Sequence, residues 1–327
     1  MPLLADVHDF AHLVEGDAAW SESYYFNAYD PPTDSGFFTR IGVRPNEGVL
    51  DANLSAWLPG NRLAIVLGAR EQDEMTDTDL HAGGVRYERL APMQQWRVTA
   101  DADAMVIDLA DKSVGSGRLV VDATFTALTS PVGTDGQGRE QSGLSAVAAA
   151  TVGKGHLEQA GRWNGSVTFD GTELVWGDDA RGNRDKSWGP RRWGGPRMWR
   201  WFSINISDDV HFGGIRIGTD AGDLHRGWVW RDGEATSIRE WDVRTELEDD
   251  GLTHRVSHVR ATDKRDHVHE LRADVLRVFG IPQQRGDRRT IVNEGLARWT
   301  YEGRTGYGIA EYLHQLDDDN RPLYGVE

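Results

Sequence analysis

Three features of this 327-residue chain predict an all-β protein of antiparallel strands closing as sandwiches or barrels. Short alternating or β-rich runs follow one another, broken by Gly, Pro, Asn and Asp at a spacing of roughly eight to twelve residues. No amphipathic helical period extends beyond about three turns. Several segments also recur in the same order, as duplication of one β-domain would leave them.

The N-terminal residues Met1 to Glu15 carry a weak helical period through Asp9, Phe10, Leu13 and Val14, enough for one short helix. From Trp20 the pattern changes to strands: SESYYFNAYD, SGFFTRIGV, NLSAWLPGN and NRLAIVLGA. Further along come GRLVVDATFTAL, NGSVTFDGTELVWG, WFSINI, VHFGGIRIG, RGWVWRDG and LRADVLRVFG. Between them, the Ala-rich segment Ser142 to Val152 reads as the remaining helix.

The recurrence pairs the segment from Trp20 with that from Trp199, and Leu50 onward with Leu224 onward. It then pairs Leu119 onward with Leu271 onward, and Arg162-Trp163 with Arg298-Trp299. Trp57 and Trp230, matched in this scheme, read as core anchors. Two β-domains are expected, residues 1–178 and 179–327.

Composition bounds the function. At 39% hydrophobic and 27% charged the chain reads as soluble and globular, and its length suffices for two real cores. A net charge of −16 argues against a general nucleic-acid binder, since phosphate repulsion would have to be overcome locally. With no cysteine, thiolate catalysis, thiolate metal sites and disulfides are excluded. No signal peptide or membrane-length apolar run is visible, so a cytoplasmic location is expected. G-x-S-x-G, H-E-x-x-H, Walker and G-x-G-x-x-G motifs are all missing, which leaves phosphate-bearing cofactors without a cradle and predicts a cofactor-free protein. Oligomeric state is not readable.

The densest chemistry lies in Gly182 to Trp201, GNRDKSWGPRRWGGPRMWRW, with four tryptophans, five arginines, an aspartate and a lysine. Guanidinium on indole and guanidinium on carboxylate satisfy one another in partly buried places, such as a seam or a cavity mouth. Only four of the 36 basic residues are lysine, which singles out Lys186.

HLEQAGRWNGSVTFDG followed by GNRDKSWGPRRW resembles the linking segment of the carotenoid hydratase-like superfamily, and GYGIAEYL at Gly306 to Leu313 resembles its closing strand. The resemblance implies two tandem lipocalin-like antiparallel β-barrels. It also implies a hydrophobic small-molecule substrate (isoprenoid, steroid or polyketide) and hydratase, isomerase or cofactor-free Diels–Alder-type cyclase chemistry. Members of the subgroup carry an Arg-Asp-His-Ser-Trp-Gly motif. Here Lys186 stands in the histidine's place, which argues against hydration specifically.

Asp185 is then the candidate acid: a carboxyl among indoles has its charged form desolvated and its pKa raised. Trp188 and Trp193 would steady a carbocation, and Lys186 would polarise a carbonyl. The neighbouring Arg184 and Arg191 pull the other way, and the structural alternative is an Arg–Asp pair that only holds the fold. A strand here places Asp185 and Ser187 on one face, Lys186 and Trp188 on the other. His156 and Glu158 share a face and are candidates to orient a ligand, as is Glu311, each with a plain structural alternative. A separate possibility is a divalent-metal site on the hairpin carrying His254, His258, His267 and His269, with His258, His267 and His269 as ligands. A carrier that binds the same ligands without transforming them is the non-catalytic alternative.

Overall fold

The computed structural model describes residues 4–136, 153–192, 195–285 and 287–326. They separate into two compact units, one made of residues up to 136 together with 153–191, the other of residues from 192 onward. Both are all-β, and together they are the double lipocalin-like fold expected from the resemblance. No helix among the described residues is long and apolar enough to cross a membrane.

The first unit begins with a single 3-10 turn, Asp6–Asp9. Strands β1 (Trp20–Asp30), β2 (Ser35–Arg44), β3 (Val49–Leu58) and β4 (Arg62–Glu71) form a meander. A short hairpin, β5 (Leu80–Ala82) and β6 (Val85–Ala91), leads into β7 (Gln95–Asp108) and β8 (Val114–Ala127). The unit ends with β9 (Val132–Thr134), β10 (Gly155–Phe169), β11 (Thr172–Val175) and β12 (Arg181–Pro190). β4 pairs with β7, β7 with β8, β8 with β10, β10 with β12, and β12 with β1. The ladders therefore trace an eight-strand circuit that returns to its start. Asp170-Gly171, at φ 46° and 79°, makes the left-handed two-residue turn between β10 and β11 that an Asp-Gly pair favours.

Inside this circuit Phe26, Phe37, Phe125 and Trp163 meet edge to face, with Phe37 and Trp163 centroids 5.1 Å apart at 81°. Gly161 is required there, because a Cβ at that position would lie 2.1 Å from the Phe125 ring.

The second unit is a closed barrel in simple up-and-down order. Its strands are β13 (Met198–Asn205), β14 (Val210–Thr219), β15 (Gly222–Arg231), β16 (Glu234–Leu247), β17 (His254–Asp263), β18 (Val268–Arg285), β19 (Arg288–Tyr301) and β20 (Arg304–Leu316). β20 pairs back onto β13 and leaves no edge. Phe202, Phe212, Trp241, Trp299 and Tyr301 form its core.

Four expectations change. The stretch 181–190 is a strand of the first unit, paired on both sides, so that unit runs through residue 191 instead of ending at 178. The N-terminal helix reduces to the one 3-10 turn, because the carbonyls of His8 and Phe10 bond to Lys186 and are lost to a helical ladder. Trp20 packs inside its unit with Leu4, Met93, Leu157 and Trp188, whereas Trp199 lies on the strand face opposite the core residue Phe202. Since a slip of one residue reverses every side chain, that repeat pairing fails, while Trp163 and Trp299 do each sit in a core. Trp57 is fully buried against Phe38, on the strand face opposite Leu54 and Ala56, whereas Trp230 is only half-buried and is not a core anchor. The helix expected at Ser142 to Val152 lies outside the described residues.

Candidate functional site

β12 alternates as its sequence implies, and the two faces do different work. On the inward face, opposite Phe26, Tyr24 and Glu22 of β1, stand Arg184, Lys186 and Trp188. The Arg184 guanidinium donates to Asp9 Oδ1 at 2.6 Å and, through Nε, to Gln159 Oε1 at 2.7 Å. Asp9 Oδ2 in turn accepts the Met93 amide at 2.6 Å. Lys186 Nζ lies 2.6 Å from Glu22 Oε1 and donates to the carbonyls of His8 and Phe10 at 2.9 and 2.6 Å. His12 closes the group: its ring stacks on Trp188 at 3.7 Å and 9°, and its Nδ1 is 2.9 Å from Glu22 Oε1. Burial pulls the Glu22 carboxyl up, but the His12 hydrogen bond and the Lys186 charge together hold it below its ordinary range. Burial pushes the Lys186 ammonium down despite Glu22 beside it. Arg184 and Lys186 therefore pin the N-terminal segment onto the first sheet, while His12 Nε2 is buried without a hydrogen-bond partner.

On the outward face of the same strands, Glu158 of β10 stands directly opposite Asp185 of β12, and His156 opposite Ser187. His156 Nε2 is hydrogen-bonded to Asp185 Oδ2 and lies 3.5 Å from Glu158 Oε1. The three side chains run from open to closed: 36% exposed for His156, 16% for Asp185 and 2% for Glu158. Burial alone would lower the His156 pKa; the Asp185 charge and hydrogen bond, with Glu158 behind them, push it up to about 9. Arg191 donates to Ser187 Oγ at 2.7 Å at the rim. The donor atoms of His156, Glu158 and Asp185 lie within 4.8 Å of one another, a spacing a divalent cation accepts. Here the imidazole nitrogen and the Asp185 oxygen that would face such an ion are bonded to each other through a proton. The arrangement is a hydrogen-bonded acid–base pair with a buried carboxylate behind it, reachable from one side.

The structure thus brings together Asp185, His156 and Glu158, and sets Lys186, Trp188 and Arg184 apart from them across the sheet. Trp193 lies outside the described residues. Glu311 belongs to the second unit, where it accepts a hydrogen bond from Trp199 Nε1 at 2.5 Å and stands opposite Glu294. The histidine hairpin does not assemble. His258 is opposite Arg272 and bonds Glu246 at 3.2 Å, whereas His269 is opposite Ala261 and bonds Tyr301 and Asp263. Only His267 and His269 come near each other, at 5.8 Å between rings. His254 instead stacks on Tyr312 inside the barrel. Asp9, His12 and Glu22 were missed by sequence reasoning. Glu22 had a readable signal, as a charge in the otherwise aromatic inward series Trp20, Tyr24 and Phe26.

No curated protein sequence matches this chain. Among solved structures, a protein of Nitrosomonas europaea described as AttH superposes with a TM-score of 0.63 at 14% identity, covering 92% of this chain and 98% of that one. Kievitone hydratase from Nectria haematococca gives 0.57 at 13% identity, over 95% and 93%. CghA gives 0.56 at 13% identity, over 94% of each chain. At these identities the likeness is one of fold. The family described as a domain of unknown function, DUF7064, matches residues 5–316, and the chain belongs to it.

Proposed function

We propose that the protein is a general acid–base catalyst acting on a hydrophobic small molecule, with His156 and Asp185 as the proton-transfer pair and Glu158 as a second carboxylate that helps Asp185 to hold His156 charged. The observation that carries this is the convergence of the three groups on one face of β10 and β12, with the His156–Asp185 hydrogen bond at its centre. At neutral pH the imidazole is protonated and able to give its proton to an alkene carbon, a carbonyl or a departing hydroxyl, and Asp185 is placed to take a proton back. An isoprenoid, steroid or polyketide is the substrate class, and a lyase, isomerase or cyclase step the reaction type. The shared fold with kievitone hydratase supports that choice. Lys186, in the place of the histidine of the Arg-Asp-His-Ser-Trp-Gly motif, has a scaffold role in this reading, and so does Trp188.

The test starts from whatever small molecule the protein carries when purified from its own host, identified by native mass spectrometry and extraction. Turnover of that compound and of related polyenes and sterols is then compared between the wild type, Asp185→Asn and His156→Gln. Each substitution should lower kcat by about a hundredfold or more, the usual contribution of a positioned acid or base, with ligand affinity held and stability lowered by no more than about 1 kcal/mol. Turnover unchanged in both variants would remove the assignment. Binding without any turnover by the wild type would make the protein a carrier.

A further inference from the structure

The inward face of the second unit's barrel is graded along its axis. At one end the aromatic residues Phe202, Phe212, Trp241 and Trp299 are fully buried. At the other, Thr245, Val275 and Ile291, on the same inward face, are half-buried. Tyr312 marks the boundary. Its hydroxyl is 2.8 Å from both Thr245 Oγ1 and Ser257 Oγ, His254 stacks on its ring at 4.1 Å, and the Arg200 guanidinium lies 4.2 Å from the ring centroid.

Beyond Tyr312 the barrel lining carries two arginines, Arg200 and Arg216. Arg200 is 3% exposed and donates through Nη1 to the carbonyls of Trp199 and Leu313. Arg216 stands directly opposite it in the β13–β14 ladder, a like-charge pairing that is unfavourable by itself, and Asp223 answers Arg216 at 2.6 Å. His314, the next inward residue of β20 after Tyr312, is 2% exposed, and its Nε2 is buried with no hydrogen-bond partner. A buried imidazole nitrogen left unmatched beside a buried guanidinium is costly unless something binds there.

We propose that this end of the barrel binds an oxyanion, the carboxylate or phosphate group of a small molecule, held between Arg200 and His314 Nε2–H. Burial and the Arg200 charge keep the His314 ring neutral, so it serves as a hydrogen-bond donor and not as a second cation. The guanidinium, held against Tyr312, supplies the positive charge that attracts the anion.

The probes are acetate and inorganic phosphate, titrated at constant ionic strength into the full chain carrying labelled histidine, with the ring signals of His314 and His254 followed by NMR. Saturable movement of the His314 signal is expected with at least one probe; acetate alone would identify a carboxylate ligand, phosphate alone a phosphate ester. Arg200→Gln should weaken binding by about tenfold or more, the loss of one charge-assisted contact. Arg200→Lys, which keeps the charge, should bind within a few-fold of wild type and guards against a folding defect in the glutamine variant. Absence of a saturable shift with both probes in the wild type, or equal binding by a folded Arg200→Gln, overturns the proposal.

Discussion

Replacing Lys186 with methionine separates its two readings, scaffold and catalyst. The substitution keeps the length of the side chain and removes the ammonium. Glu22 would then be left at 0% exposure with His12 as its remaining side-chain partner, and the carbonyls of His8 and Phe10 would lose their donor. Breaking a buried pair from one side costs about 3–5 kcal/mol, because the surviving charge stays buried. That is a large share of the roughly 5–15 kcal/mol that holds a domain folded. Glu22→Gln combined with Lys186→Met removes the stranded charge and should recover more than half of the loss. Urea unfolding at pH 7 measures both, and hydrogen exchange should show the amides of residues 8–12 losing protection before the rest of the unit. The pH dependence has a definite sign. Glu22 titrates below its ordinary 4.5 in the folded protein, so its contribution is present above pH 4.5 and disappears as pH falls through the lower folded value. In Lys186→Met the buried Glu22 loses a charge that holds its pKa down, so the cost of the substitution should be largest near pH 7 and shrink as acidification protonates the stranded carboxylate. A stability change under about 1 kcal/mol, with catalysis lost, would refute the scaffold reading and return Lys186 to the reacting groups.

Two further outcomes follow from the histidines. His156 is raised from 6.5 to about 9, so its contribution to stability is full below pH 6.5 and is lost as pH rises through about 9. Because the ring is 36% exposed, solvent screening leaves that contribution at about 1 kcal/mol. Its NMR titration midpoint should lie near 9 in the wild type and drop to 6.5 or below in Asp185→Asn; an unmoved midpoint would dissolve the pair. His254 and His314 shift the opposite way, burial and the Arg200 charge lowering each to about 3. Their contribution is present above pH 6.5 and falls steadily below it, by about 2 kcal/mol for each ring at pH 5. Urea unfolding at pH 7 and pH 5 should show that slope, and His254→Phe with His314→Phe should flatten it; an unchanged slope would mean that the rings are not buried neutral.

How far the chain can be read without coordinates depends on where information about a residue resides. Turns are local: Asp170-Gly171 and Asp232-Gly233 adopt the left-handed pair of conformations their side chains favour, and both were legible as breaks between strands. The all-β class follows from such breaks and from strand periods, and it held. Which face of a strand looks inward is not local. β1 is buried on both faces along nearly its whole length, so the polar–apolar alternation that would orient it is erased. That is why Trp20 was matched with Trp199 although the two point to opposite sides of their strands. In β12 the parity was readable and correct, setting Asp185 apart from Lys186. Their roles were decided by contacts remote in sequence: Asp9 with Arg184, His8 and Phe10 with Lys186, and His156 with Asp185. The density of charge between Gly182 and Pro190 looked like one site because a sequence superimposes both faces of a strand. Unfolded onto the sheet, it is a buried clamp on one side and an acid–base pair on the other. The pair keeps its alignment because β12 is laddered to β10 on one side and to β1 on the other, a register that sets Glu158 opposite Asp185.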